Sequence, residues 1–131
     1  PSHCAVLERH TDFNWKLKCQ SRTVLNVERF FIMSLSRYAF IVKAPGYSPK
    51  NHAADLSSDR FSTRIVGVSN LASAIEVAQQ LVLCGVQLIE LCGGFSEGEA
   101  QELRRQIGGK IPVGVVGYSD EQAQELGRLF G

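Results

Sequence analysis

Three side chains in this chain have the types and placement to do covalent or proton-transfer chemistry: Glu90, Cys92 and His52. Glu90 stands one residue before the end of the apolar run Val86-Gln87-Leu88-Ile89-Glu90-Leu91. An ionised carboxylate there is costly unless it is paired or borders a wet pocket. Burial would raise its pKa and suit it to acid or base work, and an ion pair with Arg64 on a neighbouring strand explains it equally well. Cys92 follows at the mouth of a helix, where the N-terminal dipole favours a thiolate. It is a candidate nucleophile with His52 as its base, and the plainer alternative is an inert core cysteine. His52 lies in the polar stretch after Pro49, where Asn51-His52 serves equally well to shape a turn.

Around these residues lie groups suited to holding a ligand. In Cys92-Gly93-Gly94-Phe95-Ser96 the two glycines let backbone N–H groups approach a bound molecule, and the helix that follows favours an anion such as phosphate or carboxylate. The alternative is that they only allow a tight strand-to-helix turn. Ser69 and Asn70 close another apolar run, and Tyr47 and Tyr118 offer rings and hydroxyls at strand ends. There is neither a Walker lysine nor a G-x-G-x-x-G, so no nucleotide cofactor is implied. His52, Glu90 and Cys92 lack the paired spacing of a zinc site, and no metal is expected.

Positioning these residues requires strands alternating with helices. Tyr38-Ala39-Phe40-Ile41-Val42 is a short apolar run closed by Pro45-Gly46 and predicts a buried first strand. The polar stretch from Tyr47 to Phe61 predicts a loop. Thr63 to Val68 predicts the second strand, and Asn70 then caps a helix whose Leu71, Ile75, Ala78 and Val82 recur at helical spacing up to Gly85. Val86 to Leu91 is the third strand. Ser96-Glu97-Gly98-Glu99 is a capping box for a helix with Ala100, Leu103 and Ile107 inward, ended by Gly108-Gly109. Ile111 to Val116 is the fourth strand. Ser119 to Gln122 opens a last helix with Ala123, Leu126, Leu129 and Phe130 expected to face the core.

The order is β-loop-β-α-β-α-β-α, which predicts a single small α/β domain on a short, mostly parallel sheet. Ligands in such sheets bind at the carboxyl ends of the strands, the rim that would gather Tyr47, Ser69-Asn70, Glu90 to Ser96 and Tyr118.

Composition bounds the rest. The 131 residues are 44% hydrophobic and 21% charged with net charge +1, which fits one globular core and disfavours binding to polyanions. No membrane span or signal peptide is read, so a cytoplasmic location is expected, with Cys4, Cys19, Cys84 and Cys92 as reduced thiols. Residues 1–32 lack a sustained period and contain no glycine, and they read as an extension. Met33 is the expected start of a domain spanning 33–131. The alternative is that Thr23 to Val27 adds an edge strand.

Arg37-Tyr38-Ala39-Phe40, Pro45-Gly46-Tyr47-Ser48-Pro49, His52, Val66-Gly67-Val68, Gly85 to Phe95 and Lys110 to Val116 together resemble a domain-of-unknown-function family of short bacterial proteins. The resemblance covers roughly residues 33 to 118 and is most specific over Leu88 to Phe95. It implies no substrate or catalytic residue. From the residues themselves, the expected function is binding of an anionic or carbonyl-bearing metabolite, with Glu90 as acid/base in a lyase, isomerase or hydrolase. A non-catalytic ligand-binding or regulatory module, and a thiol-dependent hydrolase or redox protein using Cys92, remain open. So small a core also predicts a homo-oligomer, a dimer, with no nucleic acid or membrane partner.

Overall fold

The computed structural model describes residues 34–131, so the expectations placed on the first 32 residues, including the edge strand at Thr23 to Val27, lie outside the described residues. The described elements, in order, are β1 (Arg37–Lys43), β2 (Ala53–Ser57), β3 (Ser62–Val68), α1 (Leu71–Leu83), β4 (Leu88–Leu91), α2 (Glu97–Gln106), β5 (Val113–Val115) and α3 (Asp120–Phe130). Five strands form one sheet in the order β2-β3-β1-β4-β5. The α/β architecture is as expected: β1 runs parallel to both β3 and β4, and β4 parallel to β5.

One strand was not anticipated. Within the stretch expected to be loop, β2 pairs antiparallel with β3, Asp55 level with Arg64. Its sequence, Ala-Ala-Asp-Leu-Ser, has no β-branched residue, and every residue is exposed. The pairing comes from outside the segment: a tight turn in which Ser58 N–H donates to the Phe61 carbonyl at 2.8 Å, and the Arg64–Asp55 ion pair at 3.0 Å.

The core lies on one side of the sheet. Ala39 and Ile41 of β1, Ile89 and Leu91 of β4, and Val68 of β3 pack there against Ala74, Ala78 and Leu81 of α1 and Ala100 and Leu103 of α2. The alternation of β1 follows: residues 39 and 41 are buried, whereas Tyr38, Phe40 and Val42 point the other way and are half-buried. Small alanines on the inner faces of both helices let them approach the sheet closely. α1 begins where Asn70 Oδ1 accepts from Ser73 N–H at 2.9 Å. α2 ends at Gly108 and Gly109, both at positive φ (68° and 62°), a conformation disfavoured for residues with a Cβ.

The opposite face is covered by no helix of the described protomer. Phe40, Val42, Ile65 and Leu88 are half-buried there and stand outside the core cluster. α3 departs from expectation. Its inward-facing set of Ala123, Leu126, Leu129 and Phe130 is not inward, since no residue of α3 is buried and Phe130 is 82% exposed. The covered side is already filled by α1 and α2 lying side by side, and the amphipathic pattern of α3 specifies an apolar stripe without specifying its partner.

Candidate functional site

Glu90 lies on β4 between Phe40 of β1 and Gly114 of β5, on the uncovered face. Tyr38 donates its hydroxyl to Glu90 Oε2 at 2.7 Å. Burial first, then the hydrogen bond to Glu90 and its charge, pushes the Tyr38 hydroxyl up to about 12. At neutral pH the tyrosine is therefore protonated, and its one hydroxyl hydrogen is given to Glu90. Glu90 Oε1 takes no hydrogen bond among the described residues, and Glu90 Cγ lies 3.8 Å from where a Gly114 Cβ would be, so a ligand on this face can meet one free carboxylate oxygen beside the Tyr38 hydroxyl oxygen. The tilted ring of Phe61, 6.5 Å from that of Tyr38, borders the pair. The alternative of an ion pair with Arg64 does not form: Arg64 is on β3, with β1 between it and β4, and it pairs with Asp55.

His52 stacks on Tyr47 with ring centroids 5.0 Å apart, and its Nδ1 accepts from Ser48 N–H at 2.9 Å. The Tyr47 ring and His52 Cβ sit over Gly67, where a Cβ would come within 2.7 Å of Tyr47 Cδ2. This stack shares the uncovered face with Glu90 but leads into β2. With β3 and β1 between β2 and β4, the two sites are about 14 Å apart across the sheet at ~4.8 Å per strand. The structure thus does not bring His52 within proton-transfer reach of Glu90 or Cys92.

At the carboxyl rim the loop after β4 is tied to the central strand. Cys92 packs against the helix-side core, and its Sγ accepts from the Lys43 backbone N–H at 3.2 Å. It carries a free thiol, whereas Cys84 is disulfide-bonded, which corrects the expectation that all the cysteines are reduced; Cys4 and Cys19 lie outside the described residues. Lys43 Nζ donates to both oxygens of Glu99 at 2.6 and 2.8 Å and lies 4.8 Å over the Phe95 ring. Phe95 is only 4% exposed and serves the core. The Lys43 hydrogen bond, followed by the Ser96 backbone N–H, holds the Glu99 carboxyl below the ordinary carboxylate value.

The N-terminus of α2 is therefore already occupied. Ser96 Oγ accepts from Glu99 N–H, and the Glu99 carboxylate accepts from Ser96 N–H at 2.8 Å, completing the box. Asn70 is likewise engaged as the α1 cap and donates to Ser69 Oγ at 3.4 Å. Gly93 and Gly94 remain exposed, with the Tyr118 ring 3.1 Å from where a Gly93 Cβ would be and the Lys43 carbonyl at the same distance from a Gly94 Cβ. Neither glycine's N–H donates to a protein group among the described residues.

The family of unknown function DUF6506 is matched over residues 36–131. The chain belongs to that family. The DUF6506 match extends beyond Tyr118, where the resemblance read from sequence stopped, and takes in all of α3. It also spans Tyr38, Glu90, Lys43 and the Gly93-Gly94 loop. No curated protein and no solved structure matches the chain. Among the described residues no helix is long and apolar enough to cross a membrane, and no three His, Cys, Asp or Glu side chains converge as a metal-ligand group.

Sequence reasoning missed Tyr38, Lys43 and Glu99. Lys43 had a visible signal, a cation closing an apolar strand at its carboxyl end. Tyr38 had none, because its meeting with Glu90 depends on β1 and β4 being neighbours.

Proposed function

We propose that this domain binds a small carbonyl-bearing metabolite on the uncovered face of its sheet, with Glu90 as the acid/base group and Tyr38 as the hydroxyl that turns from Glu90 to the ligand's oxygen when Glu90 takes up a proton. The observation that carries this reading is the 2.7 Å Tyr38–Glu90 hydrogen bond on an otherwise largely apolar face. A carboxylate with one oxygen bonded and one open can take a proton from carbon next to a carbonyl. As Glu90 gains that proton, its hold on the Tyr38 hydrogen weakens and the phenol can turn it to the developing oxyanion. The chemistry is a proton abstraction, as in an isomerase or lyase, and needs no nucleophile.

An anionic ligand against Gly93-Gly94 is the second reading, supported by the two unengaged backbone N–H groups. Against it stands Glu99, whose carboxylate already takes the helix N-terminus together with Lys43. A thiol-dependent reaction has less support, because Cys92 is held by the Lys43 backbone and no histidine among the described residues is bonded to it. The domain's partner on this reading is a small molecule.

The test is solvent-proton exchange into a panel of 2-oxo acids and 3-oxo acids in D2O, followed by NMR, alongside thermal shift with the same panel and with inorganic phosphate. Exchange that Glu90→Gln abolishes while the fold is kept supports the acid/base reading. Stabilisation by an oxo acid without exchange favours the non-catalytic binding module. Stabilisation by phosphate that Gly93→Val removes moves the site to the rim.

A further inference from the structure

Two glycines lie inside the described strands, Gly67 in β3 and Gly114 in β5. Both belong to the uncovered face, since Gly67 is level with Val42 and Gly114 with Glu90. Their surroundings differ. A Cβ on Gly67 would meet Tyr47 Cδ2 at 2.7 Å and His52 Cβ at 3.0 Å, so the chain's own side chains fill that space. A Cβ on Gly114 would meet only Glu90 Cγ among the described residues, at 3.8 Å, an ordinary contact. The backbone does not call for glycine there either. Gly114 is not among the glycines at positive φ, and the pairing from Ile89–Val113 to Leu91–Val115 continues without a bulge. A glycine inside a strand weakens it, because it has more freedom to lose and nothing to pack. With packing, conformation and a bulge set aside, the remaining reason for it is close approach by a bound molecule.

We propose that Gly114 is the specificity-determining residue of the site, a gap beside Glu90 that takes the substituents on the ligand carbon from which Glu90 removes a proton. This rests on the acid/base reading above. The flank of Glu90 towards β1 is taken by the half-buried Phe40. Tyr38 comes to Glu90 Oε2 from the position level with Leu88. Bulk on the reacting carbon therefore goes across Gly114, and β5 is the outermost strand on that side, so no further strand limits it. The substrate class follows: an oxo acid branched at the carbon next to its carbonyl, seated over a glycine where the side chain of an alanine or valine would collide with the branch.

The experiment compares wild type, Gly114→Ala and Gly114→Val in the full chain, by thermal melting and by solvent-proton exchange in D2O. The probes are pyruvate and the 2-oxo acid in which isopropyl replaces its methyl group. Without ligand both variants should melt no lower than wild type, and Gly114→Ala about 2–6 °C higher, because a strand residue with a Cβ has less freedom to lose. With ligand, Gly114→Ala should lose at least about tenfold in affinity for the branched acid and less than about threefold for pyruvate, and Gly114→Val should bind neither. A ligand-free Gly114→Ala that melts several degrees below wild type overturns the inference, since the chain itself then packs over Gly114. Equal effects on the two acids, with exchange still abolished by Glu90→Gln, overturn it and leave the acid/base reading standing. A wild type that binds neither acid overturns it too, and silence towards the 3-oxo acids as well brings down the acid/base reading.

Discussion

Tyr38 is level with Leu88 in the sheet register, yet its hydroxyl bonds to Glu90, one pleat further along β4. The bond therefore runs diagonally across two parallel strands on the same face, which a long ring can do and a shorter side chain cannot. With burial it lifts the Tyr38 hydroxyl from its ordinary 10.0 to about 12. A raised value in the folded state means that stability linked to this proton is whole below pH 10 and is lost as pH rises from 10 towards 12. Tyrosinate absorbance during an alkaline titration should show one of the three tyrosines ionising last, near 12. In Glu90→Gln that step should move part of the way back towards 10, because burial remains when the charge is gone. An unchanged titration would show that Glu90 does not touch Tyr38.

Lys43 and Glu99 join the central strand to the first turn of α2 at 2.6 Å, with about a quarter of each side chain exposed. The Glu99 carboxyl is held below the ordinary 4.5 chiefly by the Lys43 hydrogen bond. A depressed value has the opposite sign to that of Tyr38: the contribution is present above pH 4.5 and disappears as acid titrates the carboxylate below it. Glu99→Gln removes the pair and weakens the capping box, and it should lower stability by about 1 kcal/mol at pH 7. The gap between variant and wild type should narrow in urea melts as the pH falls below about 4. A gap independent of pH would assign the effect to the cap alone.

Much of the architecture was legible because its signals are local. Asn70, Ser96 and Ser119 stand in sequence as helix caps, and each accepts the expected backbone N–H. What was not legible depended on strand order. The register that sets Phe40 and Gly114 beside Glu90 cannot be read from any one segment, and neither can the separation of Arg64 from Glu90 by β1. Cys92 and Glu90, close in sequence, look like one site on paper. In the fold Cys92 packs with the helix-side core and Glu90 faces away from it. The polar composition of β2 pointed to loop, and only its neighbour makes it a strand.

Gly67 is the only residue that leaves room for the Tyr47–His52 stack. A Cβ there would lie 2.7 Å from Tyr47 Cδ2 and 3.0 Å from His52 Cβ. Gly67→Ala should therefore displace the stack at a cost of about 1–3 kcal/mol, read from urea unfolding. The His52 ring proton shifts should move with it in the NMR spectrum. If stability and shifts both stay at wild-type values, the two rings do not pack over β3.

Leu103 and Leu83 test where the core ends. Leu103 is fully buried under α2, and Leu83, in the last turn of α1, is 74% exposed. Leu103→Ala should cost about 2–5 kcal/mol by opening a cavity, and Leu83→Ala no more than about 0.5 kcal/mol. Equal losses would mean that the side of α1 facing away from the sheet is covered in solution.

The β2–β3 hairpin has a consequence for the order of assembly. Its Asp55–Arg64 pair closes nine residues of chain, whereas the Tyr38–Glu90 bond between β1 and β4 closes fifty-two. Short loops close first, so the hairpin is expected to form within about 1–10 μs, well before β1 meets β4. When β1 arrives, one edge of β3 is already occupied, and β1 has a single place to add. The hairpin thus works as a template that narrows the search for the strand order. Mutational φ-values should be high at Asp55 and Arg64 and near zero at Leu91; the reverse pattern would show that the central pair nucleates instead.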